Sequence, residues 1–231
     1  MKLNLKSLLW ALCLAFVAST SSTQAIVVEV DNVDGVWTSV DPVGSATGIG
    51  TNEIRWGTPA SYSGKSGYNF NGVTPPTVVT SDSTPFLLGT FTHINYPITG
   101  TSITQAELSV DFDLTIDGIV FNNTTFTYTF LHNETPNNGP NPDDIVTFVN
   151  PSPGQMVIAN GQGYVVEILG FEVGGNIVSQ FYTKENKMNS ANLIAQVRQV
   201  GIPEPTTYLT LGSFLAFAAY VKRRKARRSA A

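Results

Sequence analysis

Thr92-His93-Ile94-Asn95 is the run in this chain whose side chains are best suited to chemistry. On a β-strand alternate side chains share a face, so His93 and Asn95 point one way and Thr92 and Ile94 the other. Such a pair can bind a sugar hydroxyl, or His93 and Asn95 can orient one another inside a polar network that closes a strand before Pro97. The network is the expectation, which makes Thr92, His93 and Asn95 structural. The second histidine, His132, adjoins the Asn- and Pro-rich stretch 133–143 and is expected to be a poor partner for His93. The chain has 2 histidines, and its 1 cysteine, Cys13, falls in an N-terminal leader. On that inventory neither a zinc site of several His or Cys ligands nor a Cys-His nucleophile can be assembled. No catalytic residue, metal ligand or cofactor is expected.

Other candidates are weaker. Asp111, Asp113 and Asp117 share one strand face and offer oxygens to a hard cation, but neighbours on such a face lie about 7 Å apart and need a loop to complete a calcium shell. A solvated face is the expectation. Paired carboxylates for glycoside hydrolysis depend on separation in space, which a sequence does not supply. Ser66 lacks the flanking pattern of a nucleophile elbow. Gly48-Ile49-Gly50 lacks the third glycine and following helix of a phosphate cradle. Trp37, Trp56, Tyr62, Tyr68 and Tyr96 can stack on sugars, but are read mainly as core or rim aromatics. The sequons at Asn122, Asn123 and Asn133 are read as accidents of an Asn- and Thr-rich surface.

The elements that position these residues read as β almost throughout. Val110, Phe112, Leu114 and Ile116 alternate with polar residues, which places them on one buried face. Residues 126–130 alternate likewise, and Asp117-Gly118 between the two segments is a hairpin turn signal. Further strands are expected at 26–30, 53–56, 67–70, 86–96, 145–149, 156–159, 164–171, 177–182 and 193–200. About ten short strands punctuated by Gly and Pro predict an all-β fold, a single antiparallel β-sandwich or jelly-roll-like domain over residues 26–202.

Both ends of the chain are different in kind. Lys2 and Lys6 precede an apolar stretch and then Thr23-Gln24-Ala25, the layout of a signal peptide covering residues 1–25. Residues 203–231 begin with Pro203-Glu204-Pro205, continue as an apolar run over 206–221 and finish in a basic cluster at 222–228. As a helix the run spans about 24 Å, enough for a marginal transmembrane helix if Lys222 and Arg223 snorkel outward. The basic cluster would stay cytoplasmic, which places the domain outside the inner membrane. Between the ends, five cations face sixteen acids, a net charge of about −11, which excludes a nucleic-acid-binding surface.

Val200-Gly201-Ile202-Pro203-Glu204-Pro205, followed by a short apolar helix and an arginine-rich end, resembles the PEP-CTERM sorting signal of Gram-negative bacteria. The resemblance implies processing by exosortase, a membrane-embedded transpeptidase-like protease whose genes accompany exopolysaccharide production. Within the domain, Gly50-Thr51-Asn52-Glu53-Ile54-Arg55-Trp56-Gly57, the stretch 86–98 containing Thr92-His93-Ile94-Asn95, Ala106-Glu107-Leu108-Ser109-Val110 and 143–148 resemble the THxN family of PEP-CTERM proteins. They are also similar to choice-of-anchor K domains. Neither family has an assigned activity.

The resulting expectation is a non-enzymatic protein, exported and tethered to the inner membrane as a precursor. It is then sorted to the cell envelope or extracellular matrix for a structural or adhesive role. The alternatives are a carbohydrate-binding module for exopolysaccharide and, further off, a polysaccharide-modifying hydrolase. The expected partners are exosortase, the inner membrane before processing and exopolysaccharide.

Overall fold

The computed structural model describes residues 26–73, 77–79, 83–136, 143–150 and 155–201. The signal peptide expected at 1–25 and the sorting signal expected at 203–231, with its transmembrane helix, lie outside the described residues.

The described chain is all-β, with no helix among the described residues. Its strands are β1 (Val28–Asp41), β2 (Ala46–Thr47), β3 (Glu53–Trp56), β4 (Thr58–Pro59), β5 (Ser66–Gly72), β6 (Thr77–Val79), β7 (Phe86–Asn95) and β8 (Ile98–Thr99). They continue as β9 (Gln105–Ile116), β10 (Ile119–Asn133), β11 (Asp144–Val149), β12 (Val157–Ala159), β13 (Gln162–Val173), β14 (Asn176–Val178), β15 (Phe181–Thr183) and β16 (Lys187–Val200). One sheet runs β15-β11-β10-β9-β1-β6 and another β12-β13-β16-β7-β5-β3-β2, with β14 beside β13 and a small β4-β8 ribbon. Every pairing is antiparallel. The two large sheets curl into a sandwich-like arrangement and share one buried apolar cluster.

Local sequence explains the longest ladder. Along β9 every second residue from Ala106 to Ile116 is buried, so a slip of one position would expose six apolar side chains. Asp117 and Gly118, at φ 47° and 80°, form the tight turn that the sequence signalled, and both need the left-handed region. Asp117 is therefore a turn residue, not the end of the acidic strand face expected from the sequence. β10 returns with Ile119 opposite Ile116, then shifts register between Phe121 and Thr124, where Asn123 has φ 52°. Beyond that bulge Phe126, Tyr128 and Phe130 turn inward, and the same alternation carries on to His132.

The core is built on aromatic contacts between the sheets. Phe91 of β7 stacks on Phe130 of β10 at 5.2 Å between ring centroids, and Trp37 of β1 lies 5.4 Å from Tyr68 of β5. Phe171 meets Phe181 at 5.3 Å. Burying such rings contributes about 1.5–3 kcal/mol each, which suits a domain without disulfides. The segment expected as one strand at 177–182 is two, β14 and β15, which pair in different sheets. That change of sheet lets β15 stand beside β11 and close one end of the core.

Candidate functional site

The polar side chains of the core gather at that closed end. The seven-strand run supplies Trp56 from β3, Tyr68 from β5, and His93 and Asn95 from β7; the six-strand sheet supplies His132 from β10, Asp144 from β11 and Thr183 from β15. Glu134 follows β10, and Glu185 lies in the corner where β15 gives way to β16. Register brings them together: Tyr68 pairs with His93, and Asp144 with Thr183. Asn189, opposite His93 on β16, clamps the corner by accepting from Lys184 N and donating to Lys184 O, both at 2.9 Å. His93, Asn95, Asp144 and Thr183 are fully buried.

The expectation that His132 would be a poor partner for His93 is overturned. The two imidazole rings lie 5.1 Å apart and perpendicular, because the inward alternation of β10 runs past Phe130 and delivers His132 between the sheets. The inventory argument against a zinc site of several His or Cys ligands counted no carboxylate: a ring nitrogen of His93, one of His132 and a carboxylate oxygen of Asp144 lie within 4.8 Å of one another. Carboxylate oxygens of Glu134, Asp144 and Glu185 form a second, overlapping group within the same limit.

Hydrogen bonds fix the chemical form of His93. Thr183 Oγ1 donates its one proton to the carbonyl of Asp144 at 3.2 Å. It must therefore accept from His93, and the 2.7 Å contact to His93 Nδ1 is an Nδ1–H donor. The neutral ring then carries a bare lone pair on Nε2, which has no hydrogen-bond partner among the described residues. Burial, then the neighbouring His132, hold the His93 pKa well below its usual value, so this neutral form persists. Asn95 does not pair with His93, as expected from their shared face; its Nδ2 donates to the carbonyl of Thr183 at 3.0 Å. Asn95 Oδ1 has no hydrogen-bond partner among the described residues either.

His132 is held from both sides. Its Nδ1 meets Tyr68 Oη at 2.7 Å, and its Nε2 lies 3.2 Å from Glu134 Oε2 and 4.0 Å from Asp144 Oδ2. Burial, with the charges of Asp144 and Glu134, pushes the Tyr68 hydroxyl well above its ordinary pKa, so it remains a donor. Tyr68 thus donates to Nδ1, and Nε2–H donates to Glu134, whose Oε2 also accepts from Ser102 Oγ at 2.8 Å. Asp144 Oδ1 accepts from Thr135 N at 2.8 Å, while Oδ2 has no hydrogen-bond partner among the described residues. Burial raises the Asp144 carboxyl to about 7; Glu134 and Glu185 add to the rise, and the Thr135 bonds oppose it. Burial and Glu134 also push Glu185 upward. Trp56 walls the group, lying 5.9 Å from the His93 ring and 5.3 Å from that of His132.

The remaining sequence candidates lie elsewhere. Thr92 lies on the face of β7 opposite His93, is itself buried, and shares a 2.8 Å hydrogen bond with Ser190 Oγ. Asp111 accepts from Thr125 Oγ1, and Asp113 accepts from Asn32 Nδ2 at 2.7 Å and Asn123 N at 2.9 Å. The Asn32 bond, then that from Asn123, lowers the Asp113 pKa. Asp117 Oδ1 accepts from Val27 N at 2.9 Å. These three acids belong to neither group of ligand-bearing side chains found among the described residues. Ser66 is buried and bonds Tyr96 O at 2.7 Å. Trp37, Trp56 and Tyr68 are core residues, Tyr96 is half-buried and Tyr62 is exposed. Pro203, Glu204 and Pro205 lie outside the described residues.

No protein-family model matches this chain, and no curated protein matches it.

Proposed function

We propose that this chain is an exported protein, tethered in the inner membrane as a precursor and sorted by exosortase to the cell envelope or extracellular matrix of a Gram-negative bacterium. There a single jelly-roll-like β-sandwich domain serves a structural or adhesive role without turnover. The export and sorting steps rest on the leader at 1–25 and the tripartite tail at 203–231. The observation that carries the non-enzymatic reading is the placement of the chemistry-bearing side chains. His93, Asn95 and Asp144 are sealed between sheets, where a polymer chain reaches them only if the sheets part.

A second reading, a binding module for exopolysaccharide, has its own support on the outer face of the larger sheet. Glu172 pairs with Asn192, Asn192 with Thr90, and Thr90 with Asn71, forming a rung of polar side chains across four strands. Asn192 donates to Glu172 at 3.0 Å, and Asn71 donates to Asn69 at 2.6 Å. Amides and hydroxyls arrayed at strand spacing match the donors and acceptors of a sugar chain. The test incubates the full chain with exopolysaccharide isolated from the producing cell. Release of reducing ends would overturn the non-enzymatic reading, and saturable binding that Asn71→Ala weakens would favour the module over the purely structural role.

A further inference from the structure

We infer that His93, His132 and Asp144 form a site for one divalent transition-metal ion of the zinc class, bound between the two sheets, with Glu134 and Glu185 beside it. The inference is independent of the function proposed above, since metal content and polysaccharide binding are read by separate experiments.

Geometry comes first. An ion equidistant from three atoms 4.8 Å apart would sit about 2.8 Å from each, so movements under about 1 Å reach the zinc–ligand distances of about 2.0–2.2 Å. His132 Nε2 and Asp144 Oδ2, at 4.0 Å, are too far apart for a hydrogen bond. Two ligands of a tetrahedral zinc ion stand about 3.4 Å apart, which these atoms approach with little adjustment.

Chemistry is the second argument. His93 Nε2 and Asp144 Oδ2 are buried acceptors without a donor. Such groups are costly in a protein interior unless something positive meets them. The proton on His93 Nδ1 is fixed by Thr183, and Thr183 by the Asp144 carbonyl, so the lone pair on Nε2 is held ready. This is the outer support that metal-binding histidines usually have. His132 meets Tyr68 on its other nitrogen; to bind an ion its ring would change tautomer, moving the proton from Nε2 to Nδ1, with the tyrosine oxygen turning from donor to acceptor and Nε2 leaving Glu134 for the ion. Two imidazoles and a carboxylate suit zinc-class ions, whereas calcium takes oxygen ligands. The Trp56 ring covers both histidines, so the ion would be a staple in a domain that has no disulfide.

The full chain, purified in detergent, is stripped with a strong chelator, dialysed and titrated with zinc, cobalt and calcium salts. Metal content, cobalt absorption and melting temperature are followed. The expected result is about one zinc per chain and a melting temperature about 5–10 °C higher at zinc a hundredfold above its dissociation constant. Asp144→Asn and His93→Gln should abolish that rise while Asp113→Asn retains it. If the two ligand variants do not fold, the wild-type stoichiometry and a cobalt spectrum of nitrogen and oxygen ligation decide the matter alone. Absence of stoichiometric zinc, a rise that survives in folded Asp144→Asn and His93→Gln, or a rise with calcium and none with zinc would overturn the inference.

Discussion

Replacing Thr183 with valine isolates the one hydroxyl that organises the buried cluster. Valine keeps the β-branched shape that suits β15 and removes only the oxygen that accepts from His93 Nδ1 at 2.7 Å and donates to the Asp144 carbonyl at 3.2 Å. A buried N–H left without an acceptor costs about 1–3 kcal/mol, and the lost bond to the carbonyl about 0.5–1.5 kcal/mol. The new methyl group offsets about 0.8 kcal/mol. The expected net loss is about 0.7–3.7 kcal/mol, centred near about 2 kcal/mol, which is about 4–8 °C in melting temperature for a domain of this size. The bond from Asn95 Nδ2 reaches the backbone carbonyl of Thr183 and survives the change, so the loss reports the hydroxyl alone. Urea unfolding followed by tryptophan fluorescence, with chelator present so that no metal contributes, measures it. A change under about 0.5 kcal/mol would refute the assignment of the His93 proton to Nδ1 and the chain of bonds built on it.

Acidity probes the same cluster. Asp144 rises from 3.8 to about 7 on folding, so its contribution to stability is present near pH 4 and lost as pH climbs through 7. His93 falls below 6.5, so its contribution is present above that value and lost on acidification. The two oppose one another between about pH 4 and 6.5. With chelator present, Asp144→Asn should therefore lose more stability than the unsubstituted protein when urea midpoints are compared at pH 7 and pH 5; parallel losses would contradict the Asp144 shift. Asp111, Asp113 and Asp117 are satisfied by local partners, so millimolar calcium should leave the melting temperature of Asp113→Asn and of the unsubstituted protein equally unchanged, and a rise of several degrees lost in the variant would place an ion there. Intact mass of the surface-exposed protein in an exosortase-competent host should show the tail after Pro203-Glu204-Pro205 removed, and a chain still ending at Ala231 would rule out processing.

Strict alternation made much of the fold legible. Residues 110–116 and 126–130 take the predicted faces, the Asp117-Gly118 turn forms, and the strand expected at 53–56 has those bounds. That His93 and Asn95 share a face was legible too, from strand geometry alone, because burial along β7 is unbroken from Phe91 to Asn95. The gathering of the cluster was harder to see. His132 continues the inward alternation of Phe126, Tyr128 and Phe130, a signal present in the sequence but masked by the polar stretch that follows. Asp144 shares its parity with Val146 on β11, yet an acid beside a loop reads as solvent-facing unless its neighbours across the sheet are known. Thr183 could not be assigned, because its partners come from β7 and β11, in different sheets, and local sequence says nothing about which sheets meet. Short edge strands such as β2, β4 and β8 carry no periodicity and depend on pairing alone.

In the proposed role the chemistry-bearing residues hold the fold together and do not turn over a substrate. His93→Ala tests it most directly, with unfolding free energy and exopolysaccharide binding and turnover measured on the same samples. Removing the ring opens a cavity beside Trp56 and leaves Thr183 without its partner, so stability should fall by about 2–4 kcal/mol. The folded fraction should handle polysaccharide as the unsubstituted protein does. Unchanged stability with binding or turnover abolished would make His93 a functional residue and not a structural one.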